Sequence, residues 1–485
     1  MIAWQSNLFL DYLPTTNDDL VFATRGIPWE AWWRQNRATL LLSGHFIEFF
    51  SRSSFELRHL FGVHVAAFYT PLIVAYTYLV SVSKRHIGLL AFAVAISYQV
   101  IGYDHTTPLA YPFTWSLGLS GIVATALYGG QHLARSQGHN GCLGYALGGT
   151  LFATCYEPFS LIFCILFVLA YVVEHDCVAS HSPLRHYRAV LLGIIPLALI
   201  LFSKLALVAI NAVYPNVLGP SNSFGVYGGS SLYLSSPLLS LRVALNHFVG
   251  STIAGHITSP LIWPPLKSYP PAPREYQWPF AILNSTIALY SFKRVFISRP
   301  LGCRRFSSMR VLESLDSSLL LGIGFLLAAV CMVLPAGFTA KYLSWLALSG
   351  DSWGHTFLTG SLSTSLGALA ISAFLHFAID GICKTLRRKR LVATITILTV
   401  FAMSQRTFDH NYMISIEIKR RVDSLSDLIF HCRKDALISP DAMARFNADL
   451  PNLPYLKTLC ASVRSNPAIL PSWGRELSQY TMKDQ

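Results

Sequence analysis

Two adjacent carboxylates, Asp18 and Asp19, stand in the segment TTNDDLVFATRG near the start of the chain. A carboxylate within about 3 Å of a hydroxyl can take its proton while the oxygen attacks, and general bases of this kind accelerate reactions roughly 10²–10⁴-fold. The same pattern fits a helix N-cap, in which Asn17 or one of the aspartates opens a short helix at Leu20. The pair is therefore a candidate acid–base site whose role depends on its surroundings.

A second polar motif, GYDHTTPLAYP at residues 102–112, contains Tyr103 and Asp104. Asp104 is the second acidic candidate, because a carboxylate there can position a substrate or orient a base. The alternative is an Asx turn, in which Asp104 accepts a hydrogen bond from Thr106 or from a nearby backbone amide.

The composition indicates which elements must hold these residues. Hydrophobic residues make up 53% of the chain and charged residues 13%, whereas a soluble domain carries about 25% charged residues. A chain with so few charges and a mean hydropathy of +0.45 cannot coat its surface for water, which excludes a soluble enzyme and a disordered protein. The sequence therefore predicts an all-α polytopic membrane protein.

The spans follow from the apolar stretches, since a bilayer core requires about 20 apolar residues per helix. Stretch 141–173 would be about 50 Å long as one helix, too long for a single crossing. Tyr156-Glu157-Pro158 supplies a polar break with a helix-breaking proline, so we divide the stretch there. The sequence then predicts about ten transmembrane helices, at 60–82, 87–102, 117–131, 141–155, 158–173, 189–210, 279–296, 316–336, 356–380 and 391–408.

The basic residues predict which loops face the cytoplasm. Sixteen Lys and Arg residues lie in loops 84–86, 131–140, 174–188, 293–310 and 381–390, and one lies in the opposite short loops 103–116, 156–157 and 337–355. The first group is therefore predicted to be cytoplasmic. The net charge of +13 is accounted for largely by these loops, which hold no DNA- or RNA-binding motif, so no nucleic-acid partner is expected.

This topology divides the chain into three parts. Residues 1–59 form an outer N-terminal segment, residues 60–408 form the transmembrane bundle with its long outer loop 211–278, and residues 409–485 form an outer C-terminal tail. An outer N-terminus requires either translocation of residues 1–59 by the first span or a further helix upstream. We favour the upstream helix, because an eleven-span chain would start in the cytoplasm.

An aromatic-rich stretch, PWEAWWRQNRATLLLSGHFIEFFSR at residues 28–52, follows the acidic pair. Pro28 fits the first turn of a helix, and Trp residues favour the membrane interface. The stretch predicts an interfacial helix, although an amphipathic helix that caps the bundle would show the same pattern. Arg37 lies on the face that carries Glu30, so it can pair with Glu30, with lipid headgroups or with a phosphate.

Three motifs in this order resemble the membrane-embedded C-type glycosyltransferases (GT-C), and most closely the O-antigen glucosyltransferase group. They are NDD followed by the aromatic helix with QNR, GYDHTTPLAYP in the next outer loop, and CYEPFSLIFCILFVLAYVVE at residues 155–174. The last is similar to a Tyr-Gln motif that opens a later helix, with Tyr156 and Glu157 in its two positions. The likeness covers residues 12–175 and extends to the rest by topology alone.

The resemblance implies an enzyme of the cell envelope. A sugar would leave a polyprenyl-phosphate carrier and join a hydroxyl of a polysaccharide or lipid-linked acceptor on the outer side of the bacterial inner membrane. The acceptor would belong to the O-antigen of lipopolysaccharide or to a similar surface polysaccharide. Asp18 or Asp19 would be the base of an inverting transfer, and Asp104 would be the second acidic residue of the catalytic site, where it positions the acceptor or orients the base. No cofactor is expected; some C-type transferases use a divalent metal, but no compact carboxylate cluster here demands one.

The leaving lipid phosphate would need positive charge near the outer surface. Lys204 lies within a predicted span, where a charged residue suggests function, although it can also snorkel to the interface. Lys341 is the one cation of its short outer loop. The full set of expected substrate-binding residues is Arg37, Tyr103, Tyr156, Glu157, Lys204 and Lys341.

Two other functions remain open at this point. A polysaccharide polymerase or ligase usually carries large outer loops rich in Arg and His, whereas loop 211–278 has three Lys and Arg residues and two His. A transporter or flippase for lipid-linked sugars would show broken helices in two corresponding halves, and the sequence shows no such repeat.

Cys432 and Cys460 of the tail pair if the tail faces an oxidising compartment, or are free thiols.

Overall fold

The computed structural model describes residues 114–135, 140–175, 183–214, 270–297, 317–337, 360–379 and 385–433, with isolated positions at 70–76, 78–79, 90, 93–94, 237–238, 241–242, 245 and 383. This described part of the chain is all-helical. Its helices are α1 (Thr114–Arg135), α2 (Asn140–Ala153), α3 (Phe159–His175), α4 (Pro183–Val213), α5 (Arg274–Ile297), α6 (Ser317–Gly337), α7 (Gly360–Phe377) and α8 (Leu386–Arg433).

The helices coincide with the last eight apolar stretches of the sequence. The division of 141–173 is confirmed, because α2 ends at Ala153 and α3 begins at Phe159. The stretches 60–82 and 87–102 are described only at scattered positions, which are helical. The interfacial helix predicted at 28–52 lies outside the described residues, as does the rest of segment 1–59.

The first three helices run up, down and up. Gly121 of α1 lies against Phe152 near the end of α2, and Gly141 at the start of α2 lies against His132 near the end of α1, so these two helices are antiparallel. Helix α3 is parallel to α1, since Gly118 near the start of α1 lies against Phe159 at the start of α3, and Gly130 farther along α1 lies against the backbone of Phe167. Small residues permit this close approach, as they do between helices in membranes.

Helix α4 runs antiparallel to α3. The rings of Tyr171 and His186 lie 5.7 Å apart near one end of the pair, and Glu157 contacts Lys204 near the other. The end of the bundle that holds the start of α1, the turn between α2 and α3 and the end of α4 is called the Glu157 end below. The opposite end, which holds the α1–α2 connection, is called the Arg135 end.

Helices α6 and α7 form an antiparallel pair on the other side of α3. Ser318 Oγ lies 2.8 Å from His376 Nδ1, and Ser363 Oγ donates a 2.9 Å hydrogen bond to the Ala329 carbonyl. Gly324 of α6 lies against Leu169 of α3. Both polar contacts are buried, so each satisfies a polar group within an apolar interface.

Helices α5 and α8 pack together through a polar seam. Asn284 is fully buried and donates to the Ala93 carbonyl (2.9 Å) and to Ser404 Oγ (2.8 Å), while its own oxygen has no partner among the described residues. An apolar cluster beside this seam joins α5 and α8 to α7 and to the helical positions near residue 90. Its buried members are Leu90, Ala93, Val94, Ala288, Phe292, Ala368, Ile379, Ala393, Val400 and Met403.

Two helices of the described part are long and apolar enough to cross a membrane. They are His186–Ala206 in α4 and Leu386–Met413 in α8, and only 22% and 33% of their apolar windows are buried. A core helix of a soluble protein would bury these faces, whereas here large apolar side chains are exposed. On α4 and α8 the exposed side chains include Leu191, Leu199, Leu201, Phe202, Leu205, Leu391, Ile395 and Leu398.

Helix α8 continues beyond its apolar part. Its 48 residues correspond to about 72 Å at 1.5 Å per residue, which is far more than a bilayer core of about 30 Å requires. The boundary predicted at residue 408 between bundle and tail therefore lies inside a continuous helix. Cys432 lies in its last turn, and Cys460 lies outside the described residues.

Gly130 provides a test of the packing between α1 and α3. A Cβ at this position would lie 2.5 Å from the Phe167 carbonyl oxygen and 2.8 Å from the Tyr171 nitrogen. Backbone atoms cannot move aside as a flexible side chain can, so Gly130→Ala is expected to destabilise the protein by about 1–3 kcal/mol. The measurement is the thermal unfolding temperature of the purified protein in detergent.

Gly144→Ala is the matched control for Gly130→Ala. Gly144 is exposed on α2, and a Cβ there meets nothing within 4 Å. Because alanine favours the helix over glycine by up to about 1 kcal/mol, this variant should unfold at the wild-type temperature or slightly above it. Equal unfolding temperatures for both variants would contradict the close approach of α1 to α3.

Candidate functional site

An ion pair links two of the residues that the sequence singles out. Lys204 Nζ lies 2.8 Å from Glu157 Oε1, and the two side chains are 29% and 30% exposed. Glu157 belongs to the turn between α2 and α3, and Lys204 lies in the second half of α4. The structure thus brings together a carboxylate and an ammonium that are both within reach of a bound molecule.

The turn at 154–158 holds Glu157 by its backbone. Thr154 Oγ1 donates to the Leu151 carbonyl at 2.6 Å, which ends α2. Ser160 then donates twice to the Glu157 carbonyl, from its nitrogen at 3.0 Å and from its hydroxyl at 2.7 Å. Pro158 has no N–H and is favoured at the start of a helix. The sequence therefore fixes both the end of α2 and the position of Glu157.

An aromatic cluster supports the same turn. The rings of Trp115 and Tyr156 lie 4.5 Å apart, and Phe159 contacts both rings edge-on, at 5.6 Å from Trp115 and 5.8 Å from Tyr156. Such contacts favour a fixed geometry. Trp115 is the first turn of α1, so the cluster ties the turn to the end of the loop that contains Tyr103 and Asp104.

The ion pair forms before the end of α4. Helix α2 has 14 residues and α3 has 17, or about 21 and 26 Å at 1.5 Å per residue, less than the roughly 30 Å of a bilayer core. Helix α4 continues from Lys204 to Val213, about 14 Å farther. Helix α4 therefore extends past the turn, and the ion pair forms beside α4 well before that helix ends.

An apolar stripe on α4 leads away from Lys204. Leu201, Leu197 and Ile194 recur at the spacing of one helix face that ends at Lys204. Leu201 is 54% exposed and Ile194 is 39% exposed, and Leu197 is partly buried. The arrangement presents one cation at the end of an accessible hydrocarbon surface. A lipid with a single anionic headgroup is complementary to such a surface in both charge and hydrophobicity.

A second ion pair lies at the Arg135 end of the bundle, and its cation is more exposed than Lys204. Arg135 Nε lies 2.7 Å from Glu174 Oε1, with side-chain exposures of 59% and 18%. It joins the end of α1 to the end of α3. The pair is a reference for the site, because it is also a contact between a carboxylate and a cation of two helices, at the opposite end.

Asp409 is a polar residue that the sequence analysis misses. Its carboxylate accepts hydrogen bonds from the Ala272 nitrogen (3.0 Å) and from Gln277 Nε2 (2.7 Å), so α8 caps the start of α5. The signal is present in the sequence as an acidic residue one position beyond the predicted span 391–408. Trp115, the other missed residue, stands at the end of the predicted loop 103–116.

The remaining predicted site residues lie outside the described residues. They are Asp18, Asp19, Arg37, Tyr103, Asp104 and Lys341. Within the described ranges no group of three or more His, Cys, Asp or Glu side chains is placed to hold a metal ion. Of the expected substrate-binding residues, the structure therefore places Tyr156, Glu157 and Lys204, and it brings these three to one turn and its neighbour helix.

Comparison of the chain with models of protein families, with curated proteins and with solved structures finds no match. The geometry of the turn and of α4 therefore has to support any functional conclusion by itself.

Proposed function

We propose that the protein is a glycosyltransferase that moves a sugar from a polyprenyl-phosphate carrier to a hydroxyl of a cell-surface polysaccharide or lipid-linked acceptor. The observation that carries the proposal is the contact between Glu157 and Lys204 at the end of an exposed apolar stripe on α4. A lipid-borne phosphate requires a cation at the depth of its headgroup and a hydrocarbon surface for its chain. Lys204 and the stripe offer both.

The packing of the helices supports a multi-pass arrangement. Helices α1, α2, α3 and α4 alternate in direction, as do α6 and α7, which is what successive crossings of a bilayer require. Loops 103–116, 156–157 and 211–278 then leave the bundle at the Glu157 end. In the proposal this end faces outward from the bacterial inner membrane, since the basic loops 131–140 and 174–188 lie at the Arg135 end.

The proposed reaction is an inverting transfer. The acceptor oxygen bonds to the anomeric carbon, the bond from that carbon to the phosphate oxygen breaks, and the phosphate leaves with the electron pair. Asp18 or Asp19 takes the proton of the acceptor hydroxyl. Lys204 offsets the charge that grows on the leaving phosphate, while Arg37, Tyr103, Asp104, Tyr156 and Lys341 contact the substrates.

The test compares the surface polysaccharide of cells with and without the gene. We expect one glycosyl substituent to be absent without the gene and restored by its return on a plasmid. Purified protein in vesicles should then transfer radiolabelled sugar from a polyprenyl-phosphate sugar to the polysaccharide. Unchanged glycan composition would refute the proposal, and movement of the labelled lipid across the vesicle without a new glycosidic bond would favour a transporter.

A further inference from the structure

We propose that the Glu157–Lys204 ion pair is the resting state of a lipid-phosphate site, in which the Glu157 carboxylate occupies the position of the phosphate until a phosphorylated lipid displaces it. The inference rests on the proposed function for the identity of the lipid. The transfer reaction itself does not require a competing anion in the binding site. The inference adds one, namely the Glu157 carboxylate.

The geometry of the pair supports displacement. Both side chains are about one-third exposed, at 29% and 30%, so a ligand can reach Lys204 Nζ without unfolding the turn. Glu157 is held by its backbone through Ser160, and its side chain can therefore leave Lys204 while the turn keeps its shape. A carboxylate and a phosphate oxygen accept the same hydrogen bond from an ammonium.

The location of the pair explains why a competing anion is useful. Lys204 lies within the candidate span His186–Ala206, where a lone ammonium is costly and a paired one is less so. Glu157 therefore stabilises Lys204 in the absence of lipid. When a phosphate arrives, it restores the pairing of Lys204, and Glu157 is released toward the aqueous side of the turn.

The stripe on α4 favours a lipid over a free anion as the source of the phosphate. Leu201 lies one helical turn before Lys204 on the same face and is 54% exposed, and Ile194 continues that face. A hydrocarbon chain along these residues would bury apolar surface that a free phosphate leaves exposed. The phosphate and the chain together should therefore bind much more tightly than either part alone.

The experiment measures binding of farnesyl phosphate to the full-length purified protein in detergent, with farnesol and inorganic phosphate as the two partial ligands. Glu157→Gln is expected to bind farnesyl phosphate about fivefold more tightly than wild type, because Lys204 no longer has to leave a carboxylate. Glu174→Gln, which removes the carboxylate of the reference pair at the Arg135 end, is the matched control and should bind like wild type.

Lys204 is tested in the same assay with the paired variant Glu157→Gln/Lys204→Met, which removes both charges of the ion pair, and its thermal unfolding is measured beside that of Glu157→Gln. It should bind farnesyl phosphate no better than farnesol. The proposal would be overturned if Glu157→Gln bound farnesyl phosphate no more tightly than wild type does. It would also be overturned if wild type bound farnesol as tightly as farnesyl phosphate. Inorganic phosphate binding as tightly as farnesyl phosphate would show a free-anion site instead of a lipid site.

These outcomes separate the inference from the proposed function. Tighter binding by Glu157→Gln in a protein that transfers no sugar would retain the phosphate site and refute the glycosyltransferase. If the protein transfers sugar but Glu157→Gln does not change its affinity for farnesyl phosphate, the glycosyltransferase is retained and the competing-anion site is refuted.

Discussion

Glu157→Gln/Lys204→Met is expected to lower sugar transfer at least about 100-fold relative to Glu157→Gln alone. The removal of one group that stabilises developing charge typically costs a factor of about 10²–10³ in rate, and Lys204 is the cation that contacts Glu157 of the turn. The comparison with Glu157→Gln removes the effect of an unpaired carboxylate, which would otherwise destabilise the protein. The measurement is the initial rate of radiolabel transfer in vesicles.

Two further lysine variants complete this test. Lys204→Arg keeps a positive charge at the position and should retain a substantial part of the rate. Lys293→Met makes the same chemical change as Lys204→Met at an exposed position near the far end of α5, and it should leave the rate unchanged. A paired variant that transfers sugar as fast as Glu157→Gln would exclude Lys204 from the site.

Asp18→Asn/Asp19→Asn is expected to reduce transfer by roughly 10²–10⁴-fold, the range for loss of a general base. Asparagine keeps the size and the N-cap capacity of aspartate but accepts no proton at neutral pH. A structural role in helix capping would therefore survive the exchange, and a catalytic role would not. The single variants assign the base, because only one of them should show most of the loss.

Asp351→Asn is the control for the acidic pair, since Asp351 lies in the predicted outer loop 337–355 and carries no proposed role. The variant should modify the surface polysaccharide as wild type does. If Asp18→Asn/Asp19→Asn also leaves the surface glycan intact, the base is another residue, and Asp104 is the next to be replaced.

The helices of the described bundle follow from local properties of the sequence. A span is recognised by the length of its apolar stretch. The interruption at Tyr156-Glu157-Pro158 is recognised because a charged residue followed directly by proline ends a helix. Both properties are local, so α2 and α3 appear where the sequence predicts them. The continuation of α8 to Arg433 was not predicted, because hydropathy marks where a helix becomes polar and not where it ends.

The contact between Glu157 and Lys204 cannot be deduced from the same patterns. It depends on how α4 is rotated against α3, and this rotation is set by the packing of many side chains, such as Gly193 against Val168. The sequence identifies each residue separately, by its motif or by its depth in a span. Their pairing is a property of the tertiary structure, and so is the cap that Asp409 provides to α5.

The buried amide of Asn284 has a consequence for biogenesis. During translation α5 emerges after the helical residues near Ala93 and long before α8, so one of its two hydrogen-bond acceptors already exists and the other, Ser404, does not. Asn284 thus favours early docking of α5 onto the N-terminal half of the nascent chain. The last helix to leave the ribosome then closes the assembly, and a truncated product without it would expose a polar defect that cellular quality control can recognise.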